Sequence, residues 1–300
     1  QLLRVKGDYE AAEPLLRSSL AIREEALGAG HPDTAESLNA LALVLQAKGD
    51  YDGAEPLFRR SLAIYAETLV DGHPATATSL NNLAELLRAK GDYEGAEQLY
   101  RRSLAIREDT LGAGHPDTDT SLNNLALLLQ AKGDYEGAEP LYLRALETYE
   151  KALGEEHPDT ANCLNNLGIV LSLKGEGVTA AHFHQRALTI YESLVGNTRP
   201  AAPVFLSRMA VCHNQIAFHE DVPAKNWKSA ESHYREAMKL FTKAEQPLEA
   251  VNAELNLQSL YQISGQDVDL AKVSELTRLL EEANDQRAEK GKRLLQEIHP

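Results

Sequence analysis

The sequence predicts an all-α protein, a solenoid of antiparallel helix pairs, on three observations. Gly-Asp-Tyr recurs at Gly7, Gly49, Gly91 and Gly133, a constant step of 42 residues. His-Pro keeps the same beat at His31, His73, His115 and His157, and Arg199-Pro200 falls on the next one with Arg in place of His. Between the markers the apolar residues follow a helical period: Leu122, Leu125, Ala126 and Leu129 stand at i, i+3, i+4 and i+7. Self-similarity of this length means stacked supersecondary units, none of which buries its apolar stripe alone.

The unit around Thr120 to Arg144 shows how each helix is specified. The first, or A, helix takes Pro116 into its first turn, where a missing N–H costs nothing, carries its core face through Ser121 to Lys132, and stops at Gly133. The B helix opens at Asp134, whose carboxylate accepts from free N–H groups of the first turn, with Glu136 adding favourable charge. It continues through Leu141, Tyr142, Ala145, Leu146 and Tyr149 and closes near Gly154. Pro140, with counterparts at Pro14 and Pro56, sits early in this helix and is absent at Gln98, so it is dispensable.

In chain order, Gln1 to Lys6 supplies only the end of an A helix, so we expect a piece of a longer protein whose uncapped first repeat offers a route to self-association. Four well-kept units follow. The pattern then decays: Gly175-Glu176-Gly177 replaces Gly-Asp-Tyr, an A helix is expected over Pro203 to Phe218, and His219 to Asn226 lengthens the next turn as a tolerated insertion. Lys225 to Ala244 reads as a B helix, Leu248 to Ser264 as an A-like helix, and Val268 to Ile298 as one or two final helices. The charged stretch Glu281 to Lys292 suits a cap in water. Two regions result: regular units over 1–198 and divergent helix pairs with a capping helix over 199–300.

The small residue of the A helix (Ala84), the Ala of the B helix (Ala96) and the aromatic four later (Tyr100) keep tetratricopeptide spacing. With LGxxHPDT and LNNLA in a 42-residue period, residues 1 to 200 resemble the kinesin light chain type of that family. The resemblance implies a right-handed superhelical solenoid whose A helices line a concave groove. It places Asn39, Asn81, Asn123 and Asn165, which follow the first core Leu of each A helix, on the cargo-peptide face.

An amide offers donors and an acceptor, so this ladder could hold a peptide backbone whatever side chains the peptide carries. The other explanation is duplication, each Asn bonding its neighbouring helix. For the second Asn of the pair, Asn82, Asn124 and Asn166, the two explanations stand even, since Ala40 fills that place in the first unit. Specificity would come from one turn on, at Leu43, Glu85, Leu127 and Ile169, and then Gln46, Arg88, Gln130 and Ser172. That mixture suits an extended segment with aliphatic or aromatic anchors. The groove lacks the Lys and Arg set of carboxylate clamps, which argues against an acidic carboxyl terminus.

The net charge of −15 argues against nucleic acid and anionic membranes as partners. Cys163 and Cys212 form no CxxC and read as small buried residues, and with no membrane-span or signal-like segment a cytoplasmic address is expected. The His-Pro histidines lie a full repeat apart, too far to share an ion at about 2 Å, and read as turn residues; His182 and His184 read as surface or interface residues. No P-loop, HExxH, GxSxG or GxGxxG occurs, so neither enzyme nor cofactor is expected. The aromatics Tyr51, Tyr93 and Tyr135, and Phe58, Tyr100 and Tyr142, read as inter-helix packing. Two functions fit: a peptide-binding scaffold, or a sensor or autoinhibitory module of a larger signalling protein such as a nucleotide-switch ATPase or caspase-like protease.

Overall fold

The computed structural model describes residues 9–70, 72–197, 203–283, 285 and 287–298. They form fourteen α-helices: α1 Tyr9–Leu27, α2 Pro32–Ala47, α3 Tyr51–Thr68, α4 Pro74–Lys90, α5 Tyr93–Leu111, α6 Pro116–Lys132, α7 Tyr135–Ala152, α8 Pro158–Leu173, α9 Gly177–Asn197, α10 Pro203–Ile216, α11 Trp227–Lys243, α12 Pro247–Ser264, α13 Leu270–Glu282 and α14 Ala288–Ile298. Even numbers from α2 to α12 are A helices and the odd ones B helices. No strand occurs among the described residues. The first Gly-Asp-Tyr glycine (Gly7), the stretch Gln1–Lys6 and Arg199-Pro200 lie outside them. The chain divides into two compact units, Gln1–Thr148 and Tyr149–Pro300, with the boundary inside α7.

The repeat markers are helix caps. The Nδ1 atoms of His31, His73, His115 and His157 accept from the N–H groups of Asp33, Ala75, Asp117 and Asp159 at 3.1–3.2 Å, so the turn histidines close the exposed donors of each A helix. The Thr of HPDT reaches back to the preceding helix end: Thr34, Thr118 and Thr160 donate to the carbonyls of Gly28, Gly112 and Gly154 at 2.8–2.9 Å. LGxxHPDT is therefore one clasp from a B helix to the next A helix. Replacing Thr118, which is wholly buried, with the near-isosteric Val should cost roughly 1 kcal/mol, because the Gly112 carbonyl loses the shorter of its two hydrogen bonds and keeps only that from the His115 N–H at 3.4 Å. An unchanged urea midpoint would sink this account of the clasp.

At the other turn, Asp50, Asp92 and Asp134 accept from the N–H of Gly53, Gly95 and Gly137 at 2.9–3.0 Å. The glycine is needed where the carboxylate folds back: a Cβ on Gly53 would lie 2.4 Å from Asp50 Oδ2.

In the first unit each helix packs on the next from α1 to α6, and the A helices α2, α4 and α6 also touch in succession. Ala42, Ala84 and Ala126 are fully buried, and Phe58, Tyr100 and Tyr142 fill the space beneath. Ser61 and Ser103 on the B helices donate to the carbonyls of Ala35 and Ala77 at 2.8 Å. In the next copy that serine is Ala145, and the A helix carries Asp119 where the other copies have Ala35, Ala77 and Ala161. Asp119 is fully buried, and burial pushes its carboxyl up to about 6 despite Thr148, Arg144 and His115 nearby.

In the second unit α8 to α12 pack in sequence, and α13 and α14 close on α12 around Leu255, Val273, Leu276, Leu280 and Leu294. Four expectations change here and in the first unit. His184, read as a surface or interface residue, is fully buried: it stands where Phe58, Tyr100 and Tyr142 stand upstream, and it fits because the facing Ala is Gly168, whose added Cβ would lie 2.8 Å from the imidazole. Tyr51 is 37% exposed, and Tyr93 and Tyr135 are half-buried, so the tyrosine after each capping Asp packs at the edge of the core. The expected insertion after Phe218 begins as a wide π-helical turn, Ala217–Asp221, whose ends are buried. The charged cap is wet on one side only, since Ala288 and Gly291 are buried and Lys290 is half-buried.

Candidate functional site

On the A-helix face of the first unit the amides bond one another. Asn82 Nδ2 donates to Asn39 Oδ1 at 3.2 Å, and Asn124 Nδ2 donates to Asn81 Oδ1 at 3.0 Å. The second Asn of one repeat thus joins the first Asn of the repeat before it, and Ala40 fills the second place in the first unit. Asn81 is 8% exposed, while Asn39, Asn82, Asn123 and Asn124 are half-buried and reach solvent. In the second unit Asn165 is 3% exposed, and its Oδ1 receives Cys212 Sγ at 3.4 Å and lies 3.2 Å from His184 Nδ1; Asn166 is half-buried. Another amide pair joins successive A helices downstream at a different place in the repeat, where Asn256 Nδ2 donates to Asn214 Oδ1 at 2.7 Å.

One turn on, Glu85 and Leu127 are half-buried on this face. The next row is tied to the aromatics below: Tyr142 Oη donates to Gln130 Oε1 at 3.2 Å, and Tyr100 lies beside Arg88 and Glu85. Burial first, and then the Glu85 charge, push the Tyr100 phenol up to about 12, with Arg88 opposing. In the first copy the aromatic twelve residues on from Gln46 is Phe58, which has no hydroxyl, and Gln46 Oε1 is buried without a hydrogen-bond partner. Arg88 and Gln130 therefore divide their polar capacity between the aromatic below and the surface above.

The second unit has a pocket of about 280 Å³ between α8, α10, the π-turn and α12. Ile169, Leu173 and Phe218 give it apolar walls, and Asn214, Gln215 and Asn256 put amides at its edge. Leu173 and Phe218 are 51% and 55% exposed, so the apolar walls reach the surface. Of the residues singled out in the sequence, only Ile169 and Ser172 line it. Asn214, Gln215, Phe218 and Asn256 were missed, although the 42-residue step from Asn214 to Asn256 was there to be found.

No cluster of three or more metal-ligating side chains occurs among the described residues. Both cysteines are buried, and burial pushes the Cys212 thiol up, which leaves it unreactive. None of the described helices is long and apolar enough to cross a membrane.

Caps, clasps and stacked helix pairs define a helical-repeat protein built to present one face. The chain belongs to the tetratricopeptide repeat family: the family model "Tetratricopeptide repeat" matches residues 1–67, 39–109, 75–151 and 117–193. Its fold is similar to BtubC (BKLC) from P. vanneervenii, with a TM-score of 0.65 and 23% identity over 80% of this chain and 92% of that one. It is also similar to the nearly identical TPR-like repeats of a kinesin light chain from Podosopora anserina, with a TM-score of 0.59 and 24% identity over 72% and 99%. A third similar structure is the STAND protein PH0952 from Pyrococcus horikoshii, which has a tetratricopeptide repeat sensor, with a TM-score of 0.67 and 17% identity over 98% of this chain and 42% of that one. No curated protein matches the chain. At these identities the similarity is one of fold. The chain is a tetratricopeptide repeat protein, a scaffold type for protein interaction.

Proposed function

We propose that this chain is a non-enzymatic scaffold that holds an extended segment of a partner protein along its A-helix face. The observation that supports this most is the pocket beside Ile169, Leu173 and Phe218, apolar in its walls and amide-edged, which suits one aliphatic or aromatic anchor of a peptide whose backbone the amides hold. Asn82 and Asn124 each give one N–H, and Asn39 and Asn81 each one lone pair, to the bonds between ladder amides. An amide has two N–H groups and two lone pairs, so capacity for a peptide backbone remains. In this reading the regular units over 1–198 present the ladder and give Ile169, Ser172 and Leu173 to the anchor pocket, the divergent pairs over 199–300 complete that pocket, and the address is cytoplasmic. Nucleic acid and membrane are not partners, given a net charge of −15. Self-association would run through the first repeat and is read by sedimentation at two concentrations.

The test is a peptide-display selection on the chain, repeated with Asn81, Asn123 and Asn165 changed together to Ala and helix content followed by circular dichroism. Selected peptides should bind the triple variant at least tenfold more weakly with helicity intact. Undiminished binding would remove the ladder from the mechanism. A second reading, a sensor repeat of a larger signalling protein, is favoured by the similarity to the PH0952 structure over 98% of this chain. A P-loop domain elsewhere in the full-length sequence would support it.

A further inference from the structure

We propose that the pocket between α12 and α14 binds a carboxylate of an acidic protein segment, with the Lys290 ammonium as its counter-ion. The pocket holds about 420 Å³ and is lined by Lys290 and Arg293, by Ser259 and Gln262, and by the apolar Ile263 and Leu294.

Lys290 lies within the stretch read from the sequence as a solvated cap, yet its side chain turns inward. Its Nζ donates to Asn256 Oδ1 on α12, and no carboxylate pairs with it among the described residues. Three neighbouring cations are mated, while Arg293, exposed at the same pocket, has no ion pair among the described residues. Lys292 contacts Glu281 and Glu289 at 2.9 and 2.8 Å, Arg278 contacts Glu282 at 2.6 Å, and Arg287 contacts Asp285 at 2.6 Å and also Glu249. In a chain with 45 acidic and 30 basic residues, Lys290 is a half-buried cation held by an amide with no carboxylate at its ammonium among the described residues. Burial alone holds the ammonium down to about 8, so it remains charged at neutral pH and an arriving anion would relieve its desolvation.

The lining also selects among anions. Glu289 and Glu297 stand at the same pocket, and Glu297 already accepts from Gln262 Nε2 at 3.2 Å. Their charge penalises a phosphate dianion more than a single carboxylate. Ile263 is 56% exposed at the rim and Leu294 is buried behind it, which suits an aliphatic side chain next to the acidic one. The ligand class is therefore a Glu or Asp beside a Leu, Ile or Val in a partner protein. This site uses none of the ladder residues of the first unit and stands or falls apart from them.

The probe is the blocked peptide acetyl-Leu-Glu-Glu-Leu-amide, compared with its Gln analogue and with inorganic phosphate, by titration of the whole chain. The acidic peptide should bind at least tenfold more tightly than the Gln analogue. Lys290→Met, which keeps the apolar stem, should erase that preference, whereas Lys292→Met should leave it within twofold, both with unchanged circular dichroism. The 13Cε signal of Lys290 should titrate at higher pH when the peptide is bound. Equal binding of the Glu and Gln peptides, an undiminished preference in Lys290→Met, or phosphate competing as well as the peptide would each overturn the assignment. The triple Asn variant should keep this binding, so failure of the ladder and failure of this site are told apart.

Discussion

Asp119→Ala should make the protein more stable at neutral pH and no more stable in acid. The folded carboxyl titrates at about 6, against an ordinary aspartate value of 3.8, because it is sealed from water between α6 and α7. A raised carboxyl pKa means that the folded state binds the proton more tightly than the unfolded chain. Stability is greatest when Asp119 is protonated, below the unfolded value, and is lost as pH rises through 6. At 1.36 kcal/mol per unit, the ionised side chain costs roughly 2–3 kcal/mol above pH 7. Alanine fills the same place in three sibling copies at zero exposure, so the variant leaves little cavity. Urea unfolding at pH 8 and pH 4 checks this: the variant should lead by roughly 2 kcal/mol at pH 8, and the lead should close at pH 4. A variant equal to or weaker than the parent at pH 8 would show that the carboxylate is better solvated than its burial indicates. The structure gives no reason for the acid at this place beyond its exchange with Ser61 and Ser103, whose copy is Ala145.

The same repeat arithmetic explains what the sequence disclosed. Helix pairs, the Asp caps and the Gly stops follow from local chemistry that every copy repeats, and they stand where the pattern put them. The clasp of Thr118 on Gly112 was written in LGxxHPDT but could not be derived, because a hydroxyl six residues from a carbonyl meets it only if the turn has the right shape. The amide bonds between Asn39 and Asn82 were legible as a repetition, and one of two explanations offered for it was a bond to the neighbouring helix. Which Asn donates, and that Asn81 and Asn165 would be nearly covered, depends on the spacing of neighbouring A helices and is invisible in a single copy. The misread residues, His184 and Lys290, share a cause. Each is a polar side chain on a helix face whose partner sits elsewhere in the chain: Gly168 makes room for the one, and Asn256 receives the other. Charge density alone classed Lys290 with its solvated neighbours.

Acid should unfold the second unit before the first, with a midpoint between pH 6.5 and pH 4. His184 and His213 are both held down to about 4 by burial; His219 adds to the effect on the first, opposed by the Gly168 carbonyl, and His233 adds to it on the second, opposed by Glu236. His213 stacks edge-on against His233 with ring centres 5.2 Å apart, and His233 Nδ1 lies 3.1 Å from the buried Asp221 Oδ2, so a proton on His213 enters a site with little water to solvate it. A depressed histidine pKa means that the unfolded chain takes the proton first: stability is intact above 6.5 and is lost as pH falls toward 4, by about 3 kcal/mol for each residue. Two such residues remove roughly 6 kcal/mol, comparable to the whole stability of an ordinary domain. The first unit responds differently, because Asp119 gains a proton favourably over the same range, and Glu55 and Glu97, held low first by Lys90 and Lys132, keep their charge into stronger acid. Trp227 is the chain's one tryptophan and lies on α11, so its fluorescence reports the second unit, while hydrogen exchange follows both. His213→Leu, which restores the residue found at Leu45, Leu87, Leu129 and Leu171, should move the fluorescence midpoint to lower pH by removing one of the two costs. If both units lose protection together, or the His213→Leu midpoint stays put, the buried imidazoles are not what acid acts on.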